Sequence, residues 1–148
     1  MTQWPLLLAA LVTGALVPLQ LAFNGQLGGV TRNAFTASLI VFLVGALVLT
    51  VIVLVTRPSL PSAATLAAAP PTVWLGGIIA TGYIVAIVVL TPRLGVGLTT
   101  GLILVGQIVT ALVLDHFGLF GNPQHTLGLG RALGLSLMIA GIVAIKAF

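Results

Sequence analysis

The sequence predicts an all-α, polytopic membrane helix bundle with about five transmembrane helices. Three observations carry that expectation. Charged residues make up 4% of the 148-residue chain and hydrophobic ones 59%, whereas a water-soluble domain keeps about a quarter of its residues charged. Mean hydropathy is +1.31. The single acidic residue, Asp115, and the basic residues Arg32, Arg57, Arg93, Arg131 and Lys146 stand apart from one another. They divide the chain into apolar runs of about 20 residues, the length that crosses a bilayer at ~1.5 Å per residue. With those spans placed, residues 1–148 read as a single membrane domain.

The first span covers residues 4–30 and opens with Trp4, whose ring suits a membrane interface. The preceding M-T-Q-W-P has no positive n-region, and no small-residue cleavage site closes a short apolar core, so the run reads as a retained span. Pro18 lies inside it, removes one backbone donor and predicts a kink. The polar segment Gln20 to Gln26 follows, and Thr31-Arg32-Asn33 makes the turn. The second span covers 34–56 and ends at R-P-S-L-P. The alanine-rich stretch 62–69 reads as a short interfacial helix, closed by Pro70-Pro71.

The third span, 73–90, opens near Trp74, carries Tyr83 near its middle and ends at the turn T-P-R-L-G. The fourth, 96–114, carries Gln107 near its middle and is closed by Asp115-His116-Phe117-Gly118. Gly121-Asn122-Pro123 signals a loop, and the fifth span covers 127–148. Arg131 and Lys146 fall in its end turns, where long stems reach the headgroups. The runs are too long for barrel strands, which need about 10 residues in strict alternation.

Composition also excludes function classes. Without cysteine there are no disulfides, iron–sulfur clusters or thiolate metal sites. The pI of ≈ 11.6 reflects scarce acids rather than a basic patch, so no nucleic-acid partner is expected. No Ser/His/Asp arrangement, phosphate-binding glycine loop or H-E-x-x-H is present, so the chain reads as neither an enzyme nor a cofactor protein. Asp115-His116 with His125 lacks the helical two-ligand spacing of a metal site, and no metal is assigned.

Five spans put the termini on opposite sides of the membrane. One side holds the α-amino group, Arg57 and Arg131, offset in part by Asp115; the other holds Arg32, Arg93 and Lys146. Orientation follows the Lys/Arg excess, and here the sides nearly tie. Two readings stand: a single orientation set by a small bias, or dual topology with antiparallel pairing. Fusing two copies of an odd-span unit inverts the second, which is how many secondary carriers build alternating access.

Polar side chains within lipid are the candidate site residues, because each one costs free energy. The Gln107 amide can bond a solute hydroxyl, carbonyl or ammonium, or act as interhelical glue worth about 1 kcal/mol. Gln20 and Asn24 are four apart on one helix face, after Pro18 and before Gly25. They mark either a broken helix whose freed backbone binds ligand or a helix end passing into a polar loop. Tyr83 offers a hydroxyl and a ring face for a sugar or cation, or simply packs. Trp74 is an interface anchor or a ligand contact. Asp115 and His116 are coupling candidates for proton exchange; the alternative is local hydrogen bonding or pairing with Arg131. The GxxxG pairs Gly97/Gly101 and Gly130/Gly134 place a dimer seam on spans four and five.

Three functions fit these residues. The first is a secondary carrier of a small polar solute, with Gln20, Asn24, Tyr83 and Gln107 contacting substrate near the midplane between spans one, three and four. The second is a small dimeric channel, and the third a non-transporting membrane partner subunit. The lack of a membrane-buried acid favours neutral or zwitterionic solutes over cations.

The segment Q-L-A-F-N-G-Q-L-G (Gln20 to Gly28) resembles the first-span signature of YdcZ-type proteins, the five-span branch of the drug/metabolite transporter (DMT) superfamily. Similar too are Trp74 through T-P-R-L-G, V-G-Q (Val105 to Gln107), L-D-H-F-G-L-F-G (Leu114 to Gly121) and the closing segment Gly134 to Ile142. The resemblance spans essentially the whole chain. It implies a multi-pass carrier of the bacterial cytoplasmic (inner) membrane, related to ten-span EamA-type exporters, and so half of a DMT-type inverted repeat. It further implies that chains of this size work as pairs, as antiparallel homodimers or with a paralogue. Asn24, Gln107, Asp115 and His116 fall on the family pattern. Small multidrug resistance relatives rely on a first-span glutamate, which this chain lacks.

Overall fold

A computed structural model describes residues 3–148, and among them every regular element is helical. Five helices are long and apolar enough to cross a membrane. They are α1 (Trp4–Thr31), α2 (Ala34–Thr56), α4 (Leu75–Leu94, entered through a 3-10 turn at Pro71–Trp74), α5 (Val96–Phe117) and α6 (Leu129–Ala147). A short α3, Ala63–Ala67, sits between α2 and α4 and is capped by Ser62, whose side chain accepts the Thr65 N–H.

The helix ends follow local chemistry. Asn33 accepts the Thr36 N–H at 3.0 Å and so caps α2. α2 closes at Arg57, which takes the left-handed conformation. α4 runs through Thr91 and Pro92, which were expected to form a turn, and stops only before Gly95, φ +80. A proline one turn from a helix end removes a single ladder bond, which is too little to end the helix earlier. α5 likewise keeps Asp115, His116 and Phe117 helical and ends at Gly118, φ +60, where the left-handed cap favours glycine. Pro18 does not interrupt α1. The segment from Gln20 to Gln26 is therefore neither a helix end nor an unwound stretch, and the cost of Pro18 is one donor, the one the Gly14 carbonyl would have received.

The chain divides into two compact units. One joins the chain up to Leu19 with Leu94–Phe148; the other is Gln20–Arg93. In the first, α5 packs along α6, and a methyl built on Gly101 would lie 3.0 Å from Ile142 Cγ1, so this glycine already serves contact within the chain. A methyl built on Gly97, Gly130 or Gly134 would meet nothing within 4 Å beyond its own stretch of helix. In the second unit the buried side chains are Leu21, Asn24, Ala37, Ser38, Ile84, Ile87, Val88 and Thr91. Leu21, Asn24, Gly25 and Gly28 recur at helical spacing along α1, and Gly25 and Gly28 meet Thr91 and Val88 of α4.

Most other large apolar side chains are exposed, from Leu6 and Leu7 to Leu54 and Val55. Water-soluble monomers do not leave such continuous apolar surface open. It is the lipid-facing surface of a membrane protein.

Candidate functional site

Helical serines and threonines show which polar groups are left over. A hydroxyl in a helix can satisfy itself on the carbonyl four residues back. Thr13, Ser38, Thr50, Thr56, Thr81 and Ser136 all do so, at 2.7–2.9 Å. Thr91, Thr99 and Thr100 do not. Their hydroxyl oxygens are shut off from solvent and, with Asn24 Nδ2, have no hydrogen-bond partner among the described residues. Leaving such a group unpaired costs about 1–3 kcal/mol. Buried polar groups are usually paired, so these four stand apart from the other hydroxyls of the helices.

In the unit containing α5 and α6, the N-terminal half of α1 and the first half of α5 border an open groove of about 380 Å³. Its walls are carbon: Ala10, Leu11, Ala15, Val17, Ile103 and Leu104. Its polar lining residues are Thr100 and Gln107, the latter exposed. The groove thus sets the uncharged Gln107 side chain in an apolar surround, and the Thr100 hydroxyl oxygen, though its residue lines the wall, is itself closed to solvent. No charged side chain lines it.

The other unit holds Gln20, Asn24 and Tyr83. Asn24 is 6% exposed and Thr91 5%, while Tyr83 is half-buried and Gln20 lies on the exposed surface. Gly25 lets Thr91 approach, since a methyl there would sit 3.5 Å from Thr91 Cβ. Asn24 Nδ2 and Thr91 Oγ1 are accordingly the two unpaired buried groups of this unit. Trp74 lies exposed in the 3-10 turn that leads into α4.

Asp115 and His116 have partners. The Asp115 carboxylate lies 3.6 Å from Arg131 Nη1, and the same guanidinium donates to the His125 carbonyl at 3.2 Å. Both ends of this pair are more than a third exposed, so it contributes less than about 1 kcal/mol. The loop is held mainly by uncharged bonds. The His125 N–H reaches the Asp115 carbonyl at 2.8 Å, Gln124 Nε2 reaches the His116 carbonyl at 3.0 Å, and the Leu127 N–H reaches His116 Nδ1 at 3.0 Å. The L-D-H-F-G segment therefore ends α5 and docks the loop that leads to α6. Among the described residues no three His, Cys, Asp or Glu side chains come together as a metal site.

Sequence reasoning passed over Thr91, Thr99 and Thr100. A threonine in an apolar span is cheap because it usually bonds its own helix, so its type carries no signal. The Thr99-Thr100 doublet ahead of Gly101 was the one available hint.

A family model described as "Putative inner membrane exporter, YdcZ" matches residues 5–144. No curated protein and no solved structure matches the chain.

Proposed function

The chain belongs to the YdcZ family of inner-membrane exporters, and from that premise we propose that it is a secondary carrier of a small, neutral or zwitterionic polar solute. Two copies, or one copy and a paralogue, would pair antiparallel in the lipid bilayer as the two halves of a DMT-type inverted repeat, each chain acting as one membrane domain. The observation that supports this reading is the set of unpaired buried polar groups, Thr99 and Thr100 in one unit and Asn24 and Thr91 in the other, with the exposed Gln107 lining the same groove as Thr100. Buried donors and acceptors without protein partners are what a solute must find when it leaves water. Gln20 and Tyr83 complete the proposed contact set. Coupling to a proton, where it occurs, falls to Asp115 and His116, the adjacent titratable pair. The nearly equal basic charge on the two sides supports antiparallel pairing, and α2 from Phe42 onward leaves an apolar surface exposed for it.

The experiment is solute counterflow in proteoliposomes containing only the purified chain. Saturable counterflow that is lost in Gln107→Leu, with the protein still folded and paired, is the expected result. A large unitary current without saturation would make the protein a channel. An inert purified chain would make it a partner subunit.

A further inference from the structure

The unit Gln20–Arg93 contains Arg32, Arg57 and Arg93 and no acidic residue. The only acidic side chain in the sequence, Asp115, is engaged by Arg131. Among the described residues, Arg131 is also the one arginine whose guanidinium meets a partner in the chain. Arg32 and Arg93 nevertheless share one open groove of about 310 Å³. Two like charges facing the same space repel unless an anion lies between them.

The groove is built by the backbone. A methyl on Gly28 would fall 2.5 Å from Val88 Cγ1, so α1 and α4 come as close there as a glycine permits. One residue on, a methyl built on Gly29, which lines the groove, would meet nothing within 4 Å. Arg32 sits in a left-handed conformation, φ 53, where a glycine would be cheaper. The corner around it is tied by Thr31, whose hydroxyl lies 3.0 Å from both the Leu27 and Asn33 carbonyl oxygens. Arg93 stands in the last turn of α4. Both arginines are thus at helix ends, the level of lipid headgroups. The rest of the wall is hydrocarbon: Val88, Val89 and Pro92.

We propose that the Arg32–Arg93 groove binds the phosphate of an anionic phospholipid, with the first methylenes of an acyl chain lying along Val88, Val89 and Pro92. Guanidinium groups match phosphate oxygens bidentately, and basic pockets between membrane helices suit anionic headgroups. A free phosphate would leave the hydrocarbon wall uncovered, whereas a phospholipid fills both halves.

The test titrates the detergent-purified chain with dihexanoyl phosphatidylglycerol, dihexanoyl phosphatidylcholine or inorganic phosphate and follows the thermal midpoint. Phosphatidylglycerol should raise the midpoint saturably, and phosphatidylcholine and inorganic phosphate should not. In the double variant Arg32→Gln/Arg93→Gln the apparent affinity should fall about 30-fold, from the loss of two interfacial charges. Arg57→Gln, in the same unit but outside the groove, should keep the response. Gly29→Leu should abolish it by filling the groove with every charge retained, and this variant decides the matter if the double variant does not fold. The proposal is overturned if phosphatidylcholine matches phosphatidylglycerol, if inorganic phosphate alone reproduces the shift, if Arg57→Gln loses as much as the double variant, or if Gly29→Leu still responds.

Discussion

The backbone N–H of Leu127 donates to Nδ1 of His116 at 3.0 Å, which ties the start of the last span to the end of the one before it. With Nδ1 accepting, the neutral ring carries its proton on Nε2. The Gln124 and His125 bonds lay the rest of the loop along the same helix end. Replacing His116 by Ala removes one acceptor worth about 1 kcal/mol, so amide hydrogen exchange at Leu127 should quicken about fivefold. Exchange in the middle of α5 should stay as it is. An unchanged rate at Leu127 would show that the imidazole does not hold the loop.

Gly28→Ala tests the tightest helix approach. The new methyl would lie 2.5 Å from Val88 Cγ1, and a β-branched side chain has few rotamers in which to retreat. Overpacking of this kind costs about 1–3 kcal/mol. Thermal unfolding in detergent should show that loss for Gly28→Ala and almost none for Gly29→Ala, which meets open space. Adding Val88→Ala should recover part of the loss, because it removes the clashing atom. Equal midpoints for the two single alanine variants would contradict the close approach.

The fold was legible because charge scarcity and run length both depend on residue type alone. Bilayer thickness then converts run length into helices. The ends were less legible. Pro92 and Asp115-His116 look like breaks, yet a proline in a last turn and polar residues at a helix terminus both fit inside a helix, so α4 and α5 run on to Leu94 and Phe117. Pro18 misleads in the same way, since α1 absorbs the lost bond without unwinding. At the site, Asn24 and Gln107 stand out in sequence because an amide in lipid is rare. Thr91, Thr99 and Thr100 do not, because what sets them apart is where the hydroxyl points, a property of packing. The shared groove of Arg32 and Arg93 depends on residues about sixty apart meeting across α1 and α4, which no local pattern encodes.

Thr100→Val separates function from stability. Valine matches threonine in shape and removes a hydroxyl that has no partner among the described residues. Deleting an unsatisfied buried group is neutral or stabilising, by up to about 1–3 kcal/mol. The variant should therefore melt no lower than the parent while its counterflow falls, the signature of a group kept for binding rather than folding. A lower midpoint with unaltered counterflow would assign Thr100 to packing alone.

Topology supplies the last test, because it depends on so few charges. Arg32, Arg93 and Lys146 on one side stand against Arg57, Arg131 and the α-amino group on the other, with Asp115 subtracting from the latter. Orientation follows the difference in Lys/Arg between sides, so two lysines added after Phe148 to the three basic residues Arg32, Arg93 and Lys146 would shift the balance decisively to one side. Antiparallel pairing needs both orientations in the same membrane. The lysine-extended chain should then label at Phe148 from one side only and lose transport, while co-expression with a chain carrying two lysines in the 57–62 loop restores it. If the unextended chain already labels from a single side, pairing must be with a paralogue that faces the other way, and the lysine extension will leave transport intact.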